Sequence, residues 1–388
     1  MTYFEIIYKH DAKLMIKILL DPKIFNLQKF GGISRYYTEI YTAFINDDEV
    51  DIRCPLFYTD NIHFKGSLLF KDSFQIKMRF FIRWNKIFRK FLPKKLIRKT
   101  ERETLRLLNK QEADLFIPTY YDPYFMSDIK NTPFVITVYD MINELYPQYF
   151  TNDKTTVPNK KLLIESATKI IAISQSTKRD ILNIYPHIAA EKIEVVYLAH
   201  TITTNALVPI DVPKEYILFV GNRTLYKNFI FFLKSAAQIL KDKPTLYIFC
   251  AGGNEFTEEE KILIDQLALA DRVVQKNFKD NELENYYKHA KCFVFPSEYE
   301  GFGIPVLEAM ACGCPVVLAN HSSFPEVAGE AGIYFDLTNE SDLREKITSL
   351  LNDKKKRQDY SKRGLEQAAK FTWQKTAEES LKVYQSVL

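Results

Sequence analysis

The stretch CFVFPSEYEGFGIPVLEAMACGCPVVLA, residues 292–319, predicts a strand, a glycine-containing loop, a short helix and a second strand. Its first four residues are apolar, and Pro296 ends the run because proline cannot donate a hydrogen bond to a neighbouring strand. Pro315 separates the helix from the β-branched pair Val316 and Val317, where the second strand is expected. Because strand, helix and strand in succession form a unit of a parallel sheet, this stretch predicts an α/β fold.

The loop and the start of the helix are predicted to form an anion site. Gly301 and Gly303 permit close backbone approach and unusual dihedral angles. The helix is expected to begin near Ile304, with Pro305 at its first position, and Gly313 suits the left-handed position that follows a helix. In a parallel unit this loop lies at the carboxyl edge of the sheet, where the N–H groups of the helix start attract a phosphate.

Two glutamates eight positions apart belong to the same unit. Glu300 lies in the loop and Glu308 about one turn into the helix, so both are predicted to face one crevice. Two carboxylates suit the vicinal hydroxyls of a sugar. The helix dipole also favours a glutamate near a helix start without any ligand, and the spacing alone does not decide between these two interpretations of Glu308.

With these residues the chain resembles the retaining GT-B glycosyltransferases, a family of nucleotide-sugar enzymes sometimes called family 4, in which an E-x7-E motif closes the donor site. The resemblance implies an α/β fold of two Rossmann-like domains facing across a cleft, with the C-terminal helix returning to the first domain. Five further segments carry it: FGGISRYYTEI (30–40), TVYDMINELYP (137–147), AISQSTKRDIL (172–182), YILFVGNRTLYKN (216–228) and SSFPEVAGEAG (322–332).

Length and strand pattern agree with two domains. The 388 residues exceed what one hydrophobic core usually supports, and 46% of them are hydrophobic. Predicted strands recur on both sides of residues 197–213, a linker without periodicity. We therefore expect an acceptor-side domain over residues 1–205, a nucleotide-sugar donor domain over 206–370, and a crossing helix over 371–388.

The resemblance implies a role for each residue that matches the family's motifs. Arg223 and Lys227 would hold the diphosphate, although many family members carry the arginine directly after the glycine, where this chain has Asn222. Glu300 would hold sugar hydroxyls and Glu308 the ribose. The predicted catalytic residues are Glu300, Arg223 and Lys227, and the predicted donor-binding residues are Gly31, Gly32, Asn277, Phe278, Gly301, Phe302, Gly303, Ile304, Pro305 and Glu308.

Tyr139 and Asp140 are predicted to contact the sugar or the acceptor, because Asp140 ends a strand at the edge where α/β sheets place functional side chains. The family often has a histidine where this chain has Tyr139. Tyrosine can donate a hydrogen bond but does not titrate near neutral pH, so an acid–base role is not expected to carry over.

The resemblance implies transfer with retention of anomeric configuration, in which the leaving phosphate helps to deprotonate the acceptor hydroxyl. The chain has no Asp-x-Asp motif, and the family generally needs no catalytic metal, so no cofactor and no metal are expected. The implied partners are a nucleotide-sugar donor and a saccharide or lipid-linked saccharide acceptor, and the implied setting is bacterial surface-polysaccharide assembly.

Composition bounds the remaining partners and the compartment. A net charge of +4 gives no reason to expect nucleic acid, and five scattered cysteines indicate neither a disulfide framework nor a zinc site. No apolar stretch is long enough to span a bilayer and no signal peptide is evident, so a cytoplasmic protein is expected. Because residues 1–14 are polar and aperiodic, Met15 is expected to be the natural start.

Residues 77–102 carry eleven lysines and arginines against the single acid Glu101, interleaved with aromatic and aliphatic residues. This pattern suits an amphipathic helix in an anionic membrane surface, where a lipid-linked acceptor would be reached and the protein held peripherally at the inner face of the plasma membrane. It equally suits a solvated helix that packs its apolar side on its own domain. The sequence leaves these two interpretations open.

Two other functions remain open at this stage. A related GT-B fold serves nucleotide-sugar epimerases, although the E-x7-E motif within GFGIPVLEA favours transfer. A non-catalytic subunit that binds a nucleotide is the second alternative, suggested by Tyr139 and the displaced Arg223.

Overall fold

The computed structural model describes residues 15–45, 47–69, 92–202, 210–223, 225–278 and 280–388. Residues 1–14, residues 77–91 of the predicted membrane-binding segment and residues 203–209 of the predicted linker lie outside the described residues. By Cα proximity the chain divides into a first unit, residues 1–136, 159–170 and 377–388, and a second unit, residues 137–158 and 171–376. Proximity does not test which segments fold independently, so the domain boundary at 205 and 206 stays a prediction.

The strands are short runs of mostly buried residues, rich in the β-branched and aromatic types that suit a pleated surface. In chain order they are β1 (Ile16–Leu20), β2 (Val50–Arg53), β3 (Leu115–Ile117), β4 (Val135–Val138), β5 (Lys169–Ala172), β6 (Ile193–Val195), β7 (Glu215–Val220), β8 (Leu246–Ala251), β9 (Val273–Lys276), β10 (Cys292–Phe295), β11 (Val316–Ala319) and β12 (Gly332–Phe335).

Helices connect these strands, as an α/β pattern requires. They are α1 (Lys23–Leu27), α2 (Gly32–Phe44), α3 (Ile62–Gly66), α4 (Leu92–Asn109), α5 (Ile142–Leu145), α6 (Thr156–Ser166), α7 (Gln175–Ile184), α8 (Phe229–Asp242), α9 (Glu258–Gln266), α10 (Asp280–His289), α11 (Ile304–Ala311), α12 (Phe324–Ala328), α13 (Glu340–Asn352), α14 (Lys354–Ala368) and α15 (Trp373–Gln385). Within the described residues, no helix combines the length and the apolar character needed to cross a bilayer.

The second unit contains a six-stranded sheet with the order β12-β11-β10-β7-β8-β9, and every pair in it is parallel. This is the strand order of a Rossmann sheet. The order reverses between β7 and β10, and ligands of such sheets bind in the crevice outside the carboxyl ends of the strands at this switch point. The loops after β7 and β10 are therefore where a site is expected.

The first unit contains the parallel sheet β2-β1-β3, and β4-β5-β6 form a further three-stranded sheet. Residues 377–388 belong to the first unit, as the predicted return of the last helix requires. Tyr384 of α15 lies between two rings of α2: its centroid is 6.5 Å from that of Tyr41 and 6.4 Å from that of Phe44. All three side chains are buried, so apolar burial holds α15 on α2.

The sequence-based predictions of the elements around the site are confirmed, with one correction. β10 and the start of α11 at Ile304 lie where they were predicted, and Gly313 adopts the left-handed conformation, with φ of 71°. Pro305 is the second residue of α11 and not the first. Farther from the site, β2 was not predicted, because VDIR has only two apolar residues.

The described part of the basic segment, residues 92–102, is the first half of α4. Lys94, Lys95 and Arg98 are exposed, whereas Leu96 and Thr100 are buried. This half of the helix thus packs one side within its own unit and presents cations to solvent. The membrane interpretation stays a prediction, since residues 77–91 are not described.

Candidate active site

The loops after β7 and β10 bring together two of the predicted catalytic residues. Lys227 ends a short 3-10 turn, Leu225–Lys227, and Glu300 follows β10. Their side chains form an ion pair between Lys227 Nζ and Glu300 Oε1, and both are mostly buried, with 18% and 15% of the side-chain surface exposed. The pair lies in the second unit, on the two loops that leave the switch point of its sheet.

Lys227 is held as a cation. Burial is the largest single influence and acts to lower the pKa of Lys227, but the charge and hydrogen bonding of Glu300 and Tyr226 together outweigh it and raise the pKa overall. The rings of Tyr226 and Phe295 lie 5.0 Å and 5.1 Å from Nζ and stabilise the charge further. Because an ammonium has three N–H donors, Lys227 can keep Glu300 and still donate to a phosphate oxygen.

Two serines hold the backbone of Glu300. Ser322 Oγ accepts from Glu300 N at 3.2 Å and donates to Glu300 O at 2.5 Å, and Ser323 Oγ lies 2.9 Å from Glu300 O and 2.8 Å from Phe302 O. Both belong to the segment SSFPEV, which supported the family resemblance without giving the serines a role. They fix the loop, so the direction of the Glu300 side chain is set by its neighbours.

A tyrosine next to Glu300 fixes the same loop from its other end. Tyr299 Oη donates to Asp180 Oδ2 at 2.7 Å and accepts from Met141 N at 3.1 Å. Burial raises the pKa of Asp180, while the hydrogen bond from Tyr299 acts to lower it. Thr177 Oγ1 adds a hydrogen bond to Gly301 O at 3.3 Å. Sequence reasoning missed Tyr299, Asp180 and Thr177, because their partners lie more than a hundred positions away.

The two loop glycines are required for different reasons. A Cβ on Gly301 would overlap the carbonyl oxygen of Tyr139, so only glycine allows this backbone approach. Gly303 precedes α11 with φ of 97°, a left-handed conformation that side chains disfavour. Phe302 turns its ring away and packs on Tyr197 and Phe371, with centroids 6.0 Å and 5.9 Å away. The loop therefore offers backbone, together with the start of α11 at Ile304 and Pro305, to a ligand.

Glu308 lies one turn into α11, as predicted, and only 7% of its surface is exposed. Its Oε2 accepts a hydrogen bond from Tyr287 Oη at 3.3 Å. Burial raises the pKa of Tyr287 well above its usual range, and the charge of Glu308 adds to the rise, so this phenol stays a donor. The role of Glu308 at a ribose stays a prediction.

Arg223 is bound within the protein by the acceptors around it, and its predicted contact with a diphosphate stays a prediction. Its side chain is 2% exposed, and its Nε pairs with Glu260 Oε1 at 3.0 Å. Nη1 donates to Gly252 O at 3.1 Å, and Nη2 to Asn254 O at 3.0 Å and Glu255 O at 2.9 Å. Since these acceptors use its donors, Arg223 ties the loop after β7 to the loop after β8.

Asn277 and Phe278 directly follow β9, next to the loops that Arg223 joins. Gln275 Nε2 donates to Gly252 O and to Asn277 Oδ1, both at 3.1 Å. The Phe278 ring lies so close to Gly252 that a Cβ there would be 3.0 Å from it. The ends of β7, β8 and β9 thus form one connected edge, and contact of Asn277 and Phe278 with a base stays a prediction.

Tyr139 and Asp140 follow β4 and also belong to the second unit. Tyr139 is buried, and its carbonyl is the group that Gly301 approaches. Asp140 Oδ1 accepts from Ile142 N at 3.1 Å and so fixes the entry of α5. Their contact with a sugar or an acceptor stays a prediction.

Gly31 and Gly32 belong to the first unit and open α2. The helix start is already capped within the chain, because Gln28 Oε1 accepts from Ser34 N at 3.2 Å. A Cβ on Gly31 would lie 2.5 Å from Gln28 Oε1, so glycine leaves room for this cap. Contact of Gly31 and Gly32 with a nucleotide-sugar donor stays a prediction.

Metal ligands were not expected, and the described residues contain no group of three or more His, Cys, Asp or Glu side chains placed to hold a metal ion. Cys54, Cys250, Cys292, Cys312 and Cys314 are thiols without a disulfide. Burial raises the pKa of Cys312 to about 12, so this side chain is not a thiolate at neutral pH. Metal independence stays a prediction for the reaction.

A family profile, glycosyl transferases group 1, matches residues 205–367, the part of the chain that carries the Lys227–Glu300 pair. The O-antigen chain mannosyltransferase B of Escherichia coli is 27% identical over 284 residues, which cover 68% of this chain and 73% of that protein. An N-acetylgalactosaminyltransferase of Campylobacter jejuni that acts on a diphospho-undecaprenol-linked saccharide is 29% identical over 243 residues, 60% of this chain and 65% of that protein. The chain thus spans about two thirds of the relatives it matches.

Solved structures agree in fold over nearly the whole chain. HepE of Anabaena, crystallised with UDP and glucose, superposes with a TM-score of 0.68 at 18% identity, covering 96% of this chain and 100% of that one. At this identity the likeness establishes the fold, which is GT-B.

Proposed function

We propose that this chain, a member of the glycosyl transferases group 1 with a GT-B fold, transfers a hexosyl residue from a nucleotide-diphosphate sugar to a saccharide or lipid-linked saccharide. The observation that carries this proposal is the ion pair of Lys227 with Glu300 at the switch point of a Rossmann sheet, beside the start of α11. A cation, a helix start and a fixed carboxylate are the groups that a nucleotide-sugar donor needs.

Each group is assigned a part of the donor. Lys227 and the backbone of Gly301 and Gly303 would stabilise the diphosphate as negative charge develops on it during transfer. Glu300, fixed by Ser322 and Ser323, would hold sugar hydroxyls. Glu308 would bind the ribose, and the edge formed by Asn277 and Phe278 would contact the base. Gly31 and Gly32 of the first unit would contact the donor as well.

The proposed reaction retains the anomeric configuration. The bond between the anomeric carbon and the diphosphate oxygen breaks, the acceptor oxygen bonds to the same face, and the acceptor proton passes to the leaving phosphate. No metal takes part in this scheme, so turnover is expected to continue in EDTA, and loss of turnover that a divalent ion restores would refute that part. Proton NMR of the product reports the retained or inverted configuration.

The relatives favour a place in bacterial surface-polysaccharide assembly. The Escherichia coli protein is named for mannosyl transfer to an O-antigen chain, and the Campylobacter jejuni protein for a lipid-linked acceptor. We infer a cytoplasmic enzyme that reaches such an acceptor at the inner face of the plasma membrane. The sugar and the base are left to experiment.

The first experiment measures the melting temperature of the protein with UDP, GDP, ADP, dTDP and CMP. We expect one nucleoside diphosphate to raise it, because a ligand that binds only the folded state stabilises that state. Lys227→Ala and Glu308→Ala should reduce the rise, whereas Lys234→Ala, an exposed lysine on α8, should not.

The absence of a rise with every nucleotide at millimolar concentration would contradict the donor site and favour a non-catalytic protein. NMR of the donor incubated without an acceptor tests the remaining alternative, since isomerisation of the sugar would indicate an epimerase.

A further inference from the structure

Two neighbouring cavities at the carboxyl end of β11 lie outside the Lys227–Glu300 site. The first has a volume of about 610 Å³ and the second of about 540 Å³. They share Asn320 and His321, the first two residues after β11, and all their lining residues belong to the second unit. Lys227, Glu300 and Glu308 line neither cavity. We call the two neighbouring cavities together the β11 groove.

The first cavity of the β11 groove gathers polar side chains with few partners in the protein, although the charges of Arg179 and His321 act to lower the pKa of Asp180. In the first cavity the side chains of Arg179, Asn183, Asn320 and His321, and the hydroxyl of Tyr146, make no hydrogen bond or ion pair with any other described residue. Asp180 uses Oδ2 for its hydrogen bond with Tyr299, which leaves Oδ1 to accept. Donors and acceptors therefore converge on one space.

The mixture of these groups selects a class of ligand. An anion would need donors alone, but Asp180 in the first cavity and Asp336 and Asp342 in the second bring carboxylates. An apolar ligand would remove the guanidinium of Arg179 and the amides of Asn183 and Asn320 from water without a partner. A sugar hydroxyl both donates and accepts, and the partly exposed ring of Tyr146 offers an apolar face for the C–H side of a pyranose.

The wall of the groove is also the support of the catalytic loop. Ser322, which holds Glu300 N and O, lines the first cavity, and so does Tyr299. A ligand in the groove would thus contact Tyr299 and Ser322, which support the loop that carries Glu300, without touching the Glu300 side chain that pairs with Lys227.

We propose that the β11 groove binds an oligosaccharide, the part of a glycan acceptor that is not itself glycosylated. Two neighbouring cavities that share Asn320 and His321 as lining residues offer room for more than one sugar unit. The proposal deepens the proposed function and rests on it, because only a transferase has a use for a glycan held beside its catalytic loop.

The test is saturation-transfer difference NMR with a panel of di- to tetrasaccharides built from mannose, glucose, galactose and their N-acetylated forms. We expect a saturation-transfer signal, which reports binding, from at least one of these saccharides. Arg179→Ala with Asn183→Ala should weaken its binding roughly tenfold, the loss typical of one or two hydrogen bonds. Asn320→Ala with His321→Ala, which changes the two residues shared by both cavities, should also weaken binding roughly tenfold. All four side chains are exposed, so neither double variant is expected to impair folding.

Two controls separate this site from the donor site. Gln175→Ala removes an exposed side chain of α7 that does not line the groove and should bind as the wild type does. Lys227→Ala should lose its stabilisation by nucleotide and keep the oligosaccharide. No transfer to any saccharide, or binding that both groove variants retain, would overturn the groove proposal, while failure of the donor site would show only in the nucleotide experiment.

Discussion

Arg223 and Lys227 carry the same charge four positions apart, yet their surroundings assign them different tasks. Lys227 contacts one carboxylate and two aromatic faces, and keeps N–H donors for a ligand. Arg223 lies beside Phe256, 4.7 Å from its ring, and donates to Glu260 and to three backbone carbonyls. Lys227 thus keeps the donors that its proposed contact with a phosphate needs, whereas Arg223 connects the loops after β7 and β8.

We therefore predict that Arg223→Lys costs about 2 to 4 kcal/mol of the free energy of unfolding, because lysine cannot reproduce the planar fork and leaves Glu260 and the carbonyls short of donors. Urea unfolding measures the loss, and Arg344→Lys on the surface of α13 is the control. A variant as stable as the wild type that no longer responds to nucleotide would support the predicted phosphate role of Arg223.

The sequence could not distinguish these two residues. Both follow β7 and Gly221, the residue after it, and both match the family's motif in type. What separates them is Glu260, 37 positions further on, together with carbonyls of the loop after β8. Such partners carry no local pattern. The positions of Lys227 and Glu300 after strands were sufficient to name each as a candidate, but their ion pair was not predicted.

At the scale of elements, the unit from β10 to α11 and β11 was predicted almost completely, because each of its boundaries depends on a local rule. Pro296 ends a strand, Gly313 ends a helix, and Ile304 opens one after a left-handed glycine. The supports of the loop between β10 and α11 come from Asp180, Ser322 and Ser323, on other elements. Local rules therefore predicted the path of the loop but not its rigidity.

Gly301 is where this unit meets the segment after β4, and we predict that Gly301→Ala displaces the loop between β10 and α11. The added Cβ would meet the backbone oxygen of Tyr139, which cannot move aside as a side chain does. We expect a loss of about 2 kcal/mol in stability and of most of the response to nucleotide, measured by thermal unfolding with and without ligand.

Gly66→Ala is the matched control for Gly301→Ala, since a Cβ at the last residue of α3 meets nothing within 4 Å. It should be neutral or slightly stabilising, because alanine has less freedom to lose on folding. Equal behaviour of the two variants would show that the close approach of Gly301 to Tyr139 is unimportant.

At the scale of the whole molecule, charge is concentrated rather than abundant. The chain carries +4 in total, while residues 77–102 alone carry eleven cations and one acid, so the rest of the chain sums to −6. The described end of this segment, on α4, presents Lys94 and Lys95 to solvent. A protein charged in this way is attracted to an anionic surface through one region only.

We predict that the protein co-sediments with vesicles of phosphatidylcholine and phosphatidylglycerol at low salt and dissociates at high salt, because ions screen such attraction. Lys94→Glu with Lys95→Glu should weaken binding about tenfold or more, at roughly 1 kcal/mol for each cation near the surface. Lys354→Glu with Lys355→Glu, the same change of charge on exposed residues of α14, should not. Equal loss of vesicle binding in both double variants would show that net charge alone determines binding. Absence of binding by the wild type would contradict the membrane interpretation of residues 77–102 and favour a solvated helix.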